Sequence, residues 1–379
     1  MHTTKYLIVG AGMTGDMAAK GIREHEPDGS ITMIGADPNP PYKRPLLTKG
    51  LWQGAPEEKL WREPAEGVEL VTGRRVVSLD LDALTATDDT GQEYGWEKLL
   101  LATGARPRQI PGADGVVWFR DLADYRQLRE IAGEGAHVAV IGGGFIGSEL
   151  AAGLVGNGCR VTMLFPEPGI GHRLFPADLS ASVTDYYREK GVEVLAGEMV
   201  SSASGDRVRT QSGLDIEADA VVAGLGVVAD TELAEAAGLE VNDGIVVDEY
   251  GRVLGHDDVF AAGDVARFPV AALGISLRIE HEDHANSHGS AVGANMAGAE
   301  KPYDHLPFFY SDLFDLGYEA VGLVDSRLEA VEDWQEPYRK GVVTYVENGR
   351  PRGVLLWNVW DKLDAARDLI VAGEGALAV

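Results

Sequence analysis

Cysteine is almost absent from this chain of 379 residues. The only one is Cys159, so the chain can form no internal disulfide and contains no CxxC redox pair. A structural zinc site built on thiolates needs several cysteines, which a single residue cannot supply. The cysteine content therefore excludes a disulfide scaffold and a thiolate metal centre.

Basic residues and long apolar runs are scarce as well. Lys and Arg number 33 against 60 Asp and Glu, giving a formal net charge of −27. Such a surface repels nucleic acids and anionic lipids, so we expect neither as a partner. No apolar run approaches the roughly 18 residues that indicate a membrane-spanning helix. Residues 1–5 lack the charged leader of a signal peptide, and we expect a cytoplasmic protein.

Glycine, by contrast, is abundant, with 48 residues, and it recurs in two similar turns. The first contains Gly10, Gly12 and Gly15, between an apolar strand at residues 6–9 and a segment with helical spacing at residues 16–24. A GxGxxG turn between strand and helix is typical of dinucleotide binding, because the pyrophosphate then lies on the helix N-terminus. One such motif alone is also compatible with an ordinary glycine turn.

The second turn repeats this arrangement. Gly142, Gly144 and Gly147 follow an apolar strand at residues 137–141 and precede a helical segment and a further strand at residues 160–165. Two strand–turn–helix–strand units in one chain predict two dinucleotide sites.

Two further strands end in small or acidic residues. Residues 99–105 form an apolar strand ending at Thr103 and Gly104, where the chain could pass from one domain to the next. Residues 259–265 form a strand that ends at Gly263 and Asp264. An acid at that point can bind a chain of sugar-like hydroxyl groups, and the glycine permits close approach.

These motifs and several longer stretches resemble one family. The chain is similar to the FAD-dependent pyridine nucleotide oxidoreductases, in particular the ferredoxin and rubredoxin reductases, and most of all their apoptosis-inducing-factor-like branch. The resemblance covers nearly the whole chain. The stretches that carry it are residues 41–49 (PYKRPLLTK), 278–285 (RIEHEDHA), 310–313, 317–322 and 353–360.

The resemblance implies an α/β fold with two Rossmann-like dinucleotide-binding domains and a small C-terminal α+β domain. An FAD domain would comprise residues 1–106 and 240–303, an NAD(P)H domain residues 107–239, and the C-terminal domain residues 304–379. In the last, residues 342–346 and 352–357 predict an antiparallel pair around Asn348-Gly349, and residues 361–370 predict a closing helix.

For FAD, the resemblance implies a site spread along the chain. The glycines of the first turn would hold the pyrophosphate, and Asp264 the ribitol. The family usually has a carboxylate after the second strand, where this chain has Ala36. Either Asp37 substitutes for it, or FAD is held more weakly at that end. The implied FAD residues are Gly10, Gly12, Gly15, Asp37, Arg44, Lys49, Thr103, Gly104, Arg106, Gly263, Asp264, Glu280 and His281.

For the nicotinamide nucleotide, the resemblance implies the second glycine turn and a carboxylate. Glu167 would accept a hydrogen bond from a ribose hydroxyl and repel a 2′-phosphate, which favours NADH. His172 and Arg173 lie close by in sequence and could instead accommodate NADPH. The implied residues are Gly142, Gly144, Phe145, Ile146, Gly147, Glu167 and Gly226.

Four residues would act on the reaction itself. By resemblance, Lys49 lies near the reactive edge of the flavin and pairs with Glu149, while His281 and Tyr310 also lie near the ring. A plain salt bridge is the alternative for the Lys49–Glu149 pair. His281, His284 and His288 share one helix face, but no cysteine or acidic partner completes a metal site, and we expect no metal.

The predicted function is transfer of hydride from NADH, or NADPH, to FAD and of electrons to an external acceptor. A ferredoxin or rubredoxin, a small acidic electron-transfer protein serving an oxygenase or cytochrome P450, is the expected partner. The single cysteine argues against a disulfide reductase. Quinone or oxygen as acceptor, and an NADH-sensing flavoprotein that forms a long-lived charge-transfer complex, are the alternatives. Either a monomer or a homodimer is compatible with the sequence.

Overall fold

The structure is a computed structural model that describes residues 2–379. The chain folds into two compact units. The first unit comprises the residues up to Arg44 together with Glu57–Arg106 and Val228–Pro307. The second unit comprises Pro45–Pro56, Pro107–Val227 and Phe308–Val379.

Both units contain helices and strands. The helices are α1 (Met13–His25), α2 (Leu122–Ile131), α3 (Phe145–Gly156), α4 (Ala177–Glu189), α5 (Glu232–Ala236), α6 (Glu282–Met296) and α7 (Leu363–Ala372). The strands are β1 (His2–Val9), β2 (Ile31–Gly35), β3 (Val68–Thr72), β4 (Val76–Asp80), β5 (Thr85–Asp88), β6 (Glu93–Leu101), β7 (Ala105–Pro107), β8 (Val117–Trp118), β9 (His137–Ile141), β10 (Arg160–Phe165), β11 (Val192–Ala196), β12 (Val200–Ser204), β13 (Arg207–Thr210), β14 (Asp215–Glu217), β15 (Ala220–Ala223), β16 (Val227–Ala229), β17 (Ile245–Val246), β18 (Val259–Ala261), β19 (Ala266–Val270), β20 (Ile275–Leu277), β21 (Phe308–Leu313), β22 (Leu316–Gly322), β23 (Glu329–Glu336), β24 (Lys340–Glu347) and β25 (Arg350–Trp357).

The first unit is built on a seven-stranded sheet. Its order is β3-β2-β1-β6-β5-β4, with β18 also pairing with β6 near its carboxyl end. The strands β3, β2, β1, β6 and β18 are parallel, so their carboxyl ends meet at one edge of the sheet. The glycine turn after β1 and the Asp264 turn after β18 therefore lie at the same edge, as in doubly wound folds that bind nucleotides.

Helices α1 and α6 pack closely together in the first unit. A Cβ at Gly21 would lie 2.2 Å from the Ser290 carbonyl oxygen, and one at Gly293 would lie 2.1 Å from the Ala18 carbonyl oxygen. Backbone therefore packs directly on backbone. Val292 and Met296 of α6 and Ile22 of α1 complete the core with the sheet.

The second unit contains the second nucleotide-binding sheet. Its order is β11-β10-β9-β15-β8, and all pairs are parallel. The central strands are short and largely apolar, as expected for a sheet covered on both faces. A small antiparallel meander, β12-β13-β14, lies in the same unit.

The C-terminal part of the second unit is a five-stranded antiparallel sheet. Its order is β21-β22-β25-β24-β23. The predicted hairpin is confirmed, because β24 pairs with β25 around Asn348 and Gly349, which have φ angles of 52° and 75°. Two positive φ angles in a two-residue loop are typical of a type I′ turn. The predicted closing helix is also present as α7, which begins at Leu363.

These sheets confirm the predicted α/β fold with a C-terminal α+β part. The three predicted domain ranges stay a prediction. The two compact units are defined by packing within the chain and do not correspond one to one with three domains. Within residues 2–379, no helix has both the length and the apolar character needed to span a bilayer.

The α1–α6 contact generates a prediction about stability. Gly293→Ala would place a methyl group 2.1 Å from the Ala18 carbonyl oxygen. We expect this overpacking to lower the free energy of unfolding by about 1–3 kcal/mol. The measurement is a urea unfolding curve.

Gly156→Ala is the matched control, because Gly156 is the exposed last residue of α3 and a Cβ there meets nothing within 4 Å. We expect it to leave stability unchanged or raised by up to about 1 kcal/mol. Equal stability of both variants would contradict the close contact between α1 and α6.

Candidate functional site

The first glycine turn joins β1 to α1 with a backbone conformation and a close contact that exclude a side chain at Gly10. Gly10 has a φ of 119°, and a Cβ on it would lie 2.1 Å from the Ala102 carbonyl oxygen. Gly12 is the N-cap of α1 and offers no side chain to the first amides of the helix. A Cβ on Gly12 would meet nothing within 4 Å. The N-terminus of α1 therefore faces open space with N–H groups that no side chain caps, which suits a phosphate group.

The second glycine turn has the same geometry in the second unit. Gly142 has a φ of 122°, and its Cβ would lie 2.3 Å from the Gly224 carbonyl oxygen. Gly144 caps α3 without a side-chain hydrogen bond and faces open space. At Gly147 a Cβ would lie 2.0 Å from the Gly142 carbonyl oxygen. Each unit thus contains one backbone cradle that fits the pyrophosphate of a dinucleotide.

Phe145 and Ile146 open helix α3 directly after the second turn. The Phe145 ring packs edge-on against Phe309, with ring centroids 5.4 Å apart. Ile146 lies against Gly224, whose Cβ would come within 3.1 Å of the Ile146 Cβ. Gly226, also predicted for this site, has a φ of 81° and accepts a hydrogen bond at its carbonyl from the Arg108 amide.

The Asp264 turn lies at the carboxyl edge of the first sheet, after β18. Gly263 has a φ of 74°, and a Cβ on it would lie 2.2 Å from Thr14 Oγ1 on α1. The turn is thus pressed against the first glycine turn. Arg278 donates to the Asp264 carbonyl over 3.3 Å and pairs with Glu280. Asp264 and Glu280 are therefore near each other, as their shared prediction for FAD requires.

Three other predicted FAD residues of the first unit have protein partners. Thr103 donates its hydroxyl to the Asp230 carbonyl over 2.7 Å. Arg106 forms an exposed ion pair with Glu232 at 2.6 Å. The Arg44 guanidinium lies 5.8 Å from the centroid of the Tyr42 ring. A fourth, Gly104, has a φ of 74°.

Asp37 organises its own loop. Its Oδ1 accepts hydrogen bonds from the amide and the side chain of Asn39, and its Oδ2 accepts one from the Tyr42 hydroxyl at 2.9 Å. Three donors on one carboxylate hold the segment after β2 in a turn. A role for Asp37 on the adenosine ribose stays a prediction.

Lys49 and Glu149 form a buried ion pair in the second unit. Lys49 Nζ lies 3.3 Å from Glu149 Oε1, and the two side chains are only 11% and 8% exposed. The Thr48 hydroxyl donates to Oε2 over 2.5 Å, and the Ser311 hydroxyl donates to Oε1 over 2.6 Å. Buried charge is tolerated where the pair is also hydrogen-bonded, and both carboxylate oxygens meet this condition.

Tyr310 covers the ammonium group of this pair. Lys49 Nζ lies 3.6 Å from the centroid of the Tyr310 ring and 3.7 Å from Asp312 Oδ2. An ammonium over an aromatic face is attracted by the ring electrons. The structure thus brings together Lys49, Glu149 and Tyr310, all predicted from the sequence. Thr48, Ser311 and Asp312 were missed, although they lie within the motifs at residues 41–49 and 310–313.

Glu167 follows β10 and is held by an arginine. Its Oε1 accepts from Arg173 Nε at 3.0 Å and from Nη2 at 2.7 Å. The Arg173 side chain is 84% exposed and that of Glu167 is 23% exposed. The two groups that would favour NADH and NADPH, respectively, are therefore paired with each other. His172 belongs to the same loop, where its amide donates to the Gly169 carbonyl over 3.4 Å.

Three histidines lie at the start of α6. His281 is its N-cap, while His284 and His288 are buried in the helix. Burial lowers the pKa of His281 to about 4 and that of His284 to about 3, and it lowers the pKa of His288 well below its usual range. The cluster is therefore neutral at physiological pH. Among residues 2–379, no group of three His, Cys, Asp or Glu side chains has the arrangement of a metal site.

Comparison with known proteins agrees with this geometry. The pyridine nucleotide-disulphide oxidoreductase family matches residues 4–289, and the C-terminal domain of mitochondrion-associated apoptosis-inducing factor matches residues 292–335. The chain is 34% identical to the ferredoxin–NAD(+) reductase component of the anthranilate 1,2-dioxygenase system of Burkholderia cepacia, over 98% of this chain and 95% of that protein. It is 32% identical to apoptosis-inducing factor 1 of Dictyostelium discoideum, over 97% of this chain and 78% of that protein.

A solved structure is similar over nearly the whole chain. Putidaredoxin reductase, in its covalent complex with putidaredoxin, superimposes with a TM-score of 0.90 at 28% identity, covering 98% of this chain and 94% of that one. The predicted cofactors, FAD and NAD(P)H, are those of this family, and both cradles fit them. The chain is thus a flavin-dependent NAD(P)H oxidoreductase and belongs to the pyridine nucleotide-disulphide oxidoreductase family.

Proposed function

We propose that this protein passes electrons from NADH to a small acidic iron–sulfur protein of the ferredoxin or rubredoxin type. The observation that carries the proposal is the state of Cys159, the only cysteine. Its thiol is buried and contacts the Gly133 carbonyl at 3.4 Å. Burial raises the pKa of this thiol, so it is not a ready nucleophile.

A disulfide reductase passes electrons to its substrate through thiolates that exchange with each other. This chain has a single thiol, which is buried, and this supports transfer of the electrons to an external acceptor without a cysteine relay. The full-length similarity to a ferredoxin–NAD(+) reductase and to putidaredoxin reductase supports an iron–sulfur protein as that acceptor.

The chain's own residues would bind the two dinucleotides and orient the side chains near them. The amides at the N-termini of α1 and α3 would each hold one pyrophosphate, and the Asp264 turn would hold the ribitol. Glu149 holds the Lys49 side chain in one orientation, with Tyr310 over its ammonium group. FAD, when bound, supplies the conversion of hydride transfer into single-electron transfer.

The test of this function is anaerobic stopped-flow mixing of the purified yellow protein with NADH and then with ferredoxin. We expect fast bleaching by NADH and fast recovery of the yellow colour with ferredoxin. Fast bleaching without recovery, except with a quinone or oxygen, would contradict the proposed acceptor. A protein that takes up no FAD would contradict the function as a whole.

A second candidate is an NADH-sensing protein whose reduced form changes a partner interface. The match of residues 292–335 to the C-terminal domain of apoptosis-inducing factor favours it. Slow bleaching that ends in a stable long-wavelength absorption band, unaffected by ferredoxin, would support this candidate over the reductase.

The buried pair generates a prediction about the reductive step. Lys49→Met and Glu149→Gln each remove one charge of the pair and free the other from its position. Because small displacements near reacting groups are costly, we expect the bleaching rate to fall by roughly 10-fold to 100-fold. Bound FAD, measured by absorbance, should be retained.

Lys190→Met is the matched control, since Lys190 forms a lysine–carboxylate pair with Asp315 at 2.6 Å on the exposed surface of the same unit. We expect it to bleach at the parent rate. Unchanged rates in Lys49→Met and Glu149→Gln would remove the buried pair from the reaction.

The Glu167–Arg173 pair generates a prediction about the nucleotide. Glu167→Gln should lower the ratio of kcat/KM for NADH to that for NADPH by about tenfold, because the ribose hydroxyl then donates to a neutral instead of a charged acceptor and repulsion of the 2′-phosphate is relieved. Steady-state kinetics with both nucleotides provide the measurement.

Arg173→Ala tests the opposite direction in the same assay. It frees the Glu167 carboxylate and removes a phosphate-binding cation, so the NADH preference should rise. A ratio that is unaltered in both variants would contradict the assignment of Glu167.

A further inference from the structure

One buried ring cluster in the first unit has no part in the proposed reaction. It consists of Phe268, His284, His288 and Tyr303. The His284 ring stacks on Phe268 with centroids 4.6 Å apart and on His288 with centroids 4.7 Å apart, and His288 lies 4.6 Å from Tyr303. Both histidines are on α6, one turn apart, and His288 is 1% exposed.

His288 contacts the turn that carries Asp264. The Gly263 amide donates a hydrogen bond to His288 Nδ1 over 3.3 Å. Because this nitrogen accepts, the ring proton is on Nε2. Burial lowers the pKa of His288, which keeps the accepting lone pair available at neutral pH.

The Gly263 amide needs this partner because the turn is buried and tightly constrained. Gly263 is buried at a φ of 74°, and any Cβ would clash with Thr14 Oγ1. A buried amide without an acceptor would be destabilised by the lost hydrogen bond. The neighbouring Gly289 lets α6 approach Thr14 closely, since a Cβ there would lie 2.5 Å from the Thr14 carbonyl oxygen. One turn of α6 therefore contacts both the Asp264 turn and the start of α1.

We propose that His288 is a positioning residue for FAD, acting through its hydrogen bond to Gly263 and the placement of Asp264. This inference rests on the proposed function, because it requires the Asp264 turn to bind the FAD ribitol. His288 Nδ1 holds the Gly263 peptide in place by accepting its amide hydrogen bond, and the ring cluster holds the His288 ring in the orientation that this bond needs. His288 acts through the turn and not by touching the cofactor.

The experiment compares His288→Asn with His288→Leu. These two side chains have nearly the same shape, but only Asn has an oxygen that can accept the Gly263 amide near the position of Nδ1. Apo-protein is titrated with FAD and the quenching of flavin fluorescence gives Kd. The midpoint potential and the visible circular dichroism of the bound flavin are measured as well.

For His288→Leu we expect FAD to bind at least about tenfold more weakly, because the buried Gly263 amide loses its hydrogen-bond acceptor. The flavin dichroism and potential should shift with it. His288→Asn should restore Kd to within about threefold of the parent and restore both the dichroism and the potential, since the acceptor is retained.

Tyr303→Phe is the control for a loosened ring cluster. It removes a hydroxyl that contacts Ser287 at 2.8 Å and His284 at 3.3 Å, without changing the acceptor for Gly263. We expect parental FAD binding from this variant. A loss equal to that of His288→Leu would show that packing alone is responsible.

Two further results would overturn the inference. Parental binding and potential in His288→Leu would show that the hydrogen bond has no effect on FAD. Equal loss in the Leu and Asn variants, including failure of both to fold, would assign His288 to packing only. Failure of the parent chain to bind FAD would instead overturn the proposed function, so the two failures are distinguishable.

Discussion

Backbone packed directly against backbone is the constraint on which the nucleotide-binding parts of this protein depend. In each unit, the turn from the first strand to the first helix passes so close to a neighbouring strand end that a Cβ would overlap a carbonyl oxygen, at Gly10 in one and Gly142 in the other. The N-cap residue that follows is also a glycine in each unit, so the helix N-terminus has no side-chain cap and faces open space. The electrostatic field and the free N–H groups of the helix are then available to a phosphate.

The same constraint brings together distant parts of the first unit. Thr14, in the first turn of α1, is contacted by the Asp264 turn at Gly263 and by α6 at Gly289. Segments that are far apart in the sequence thus form one closely packed group. A displacement of α6 would be transmitted to both places at which the first unit is predicted to hold FAD.

The second unit buries two opposite charges, those of Lys49 and Glu149. The Glu149 side chain is almost fully buried, yet each of its oxygens accepts a hydrogen bond from a hydroxyl group, and one also lies near an ammonium group. Without Thr48 and Ser311 the carboxylate would be stabilised by Lys49 alone, and buried charge with so few partners is strongly destabilising. The hydroxyl donors hold the acid, and the acid in turn fixes the direction of the Lys49 side chain.

Much of the fold and of the site follows from the amino-acid sequence. The two GxGxxG turns, the strands before them and the hairpin at Asn348-Gly349 follow from local rules, because glycine spacing and apolar periodicity specify local conformation. The full pattern of motifs indicated the family, its cofactors and the partnership of Lys49 with Glu149. The single cysteine excluded a CxxC redox pair, because that motif needs two cysteines.

Other features depended on the tertiary structure. The hydroxyl groups that donate to Glu149 belong to residues 101 and 162 positions away in the sequence, so no local sequence pattern predicts these hydrogen bonds. The pairing of Glu167 with Arg173 depends on side-chain directions in a loop, and the contact of His288 with Gly263 depends on how α6 packs against the turn after β18. The sequence by itself thus determined the cradles and their order, because these are properties of short segments. Only the tertiary structure decided which side chains support these cradles. Packing brings together residues that are far apart in the sequence, and no local sequence pattern links them.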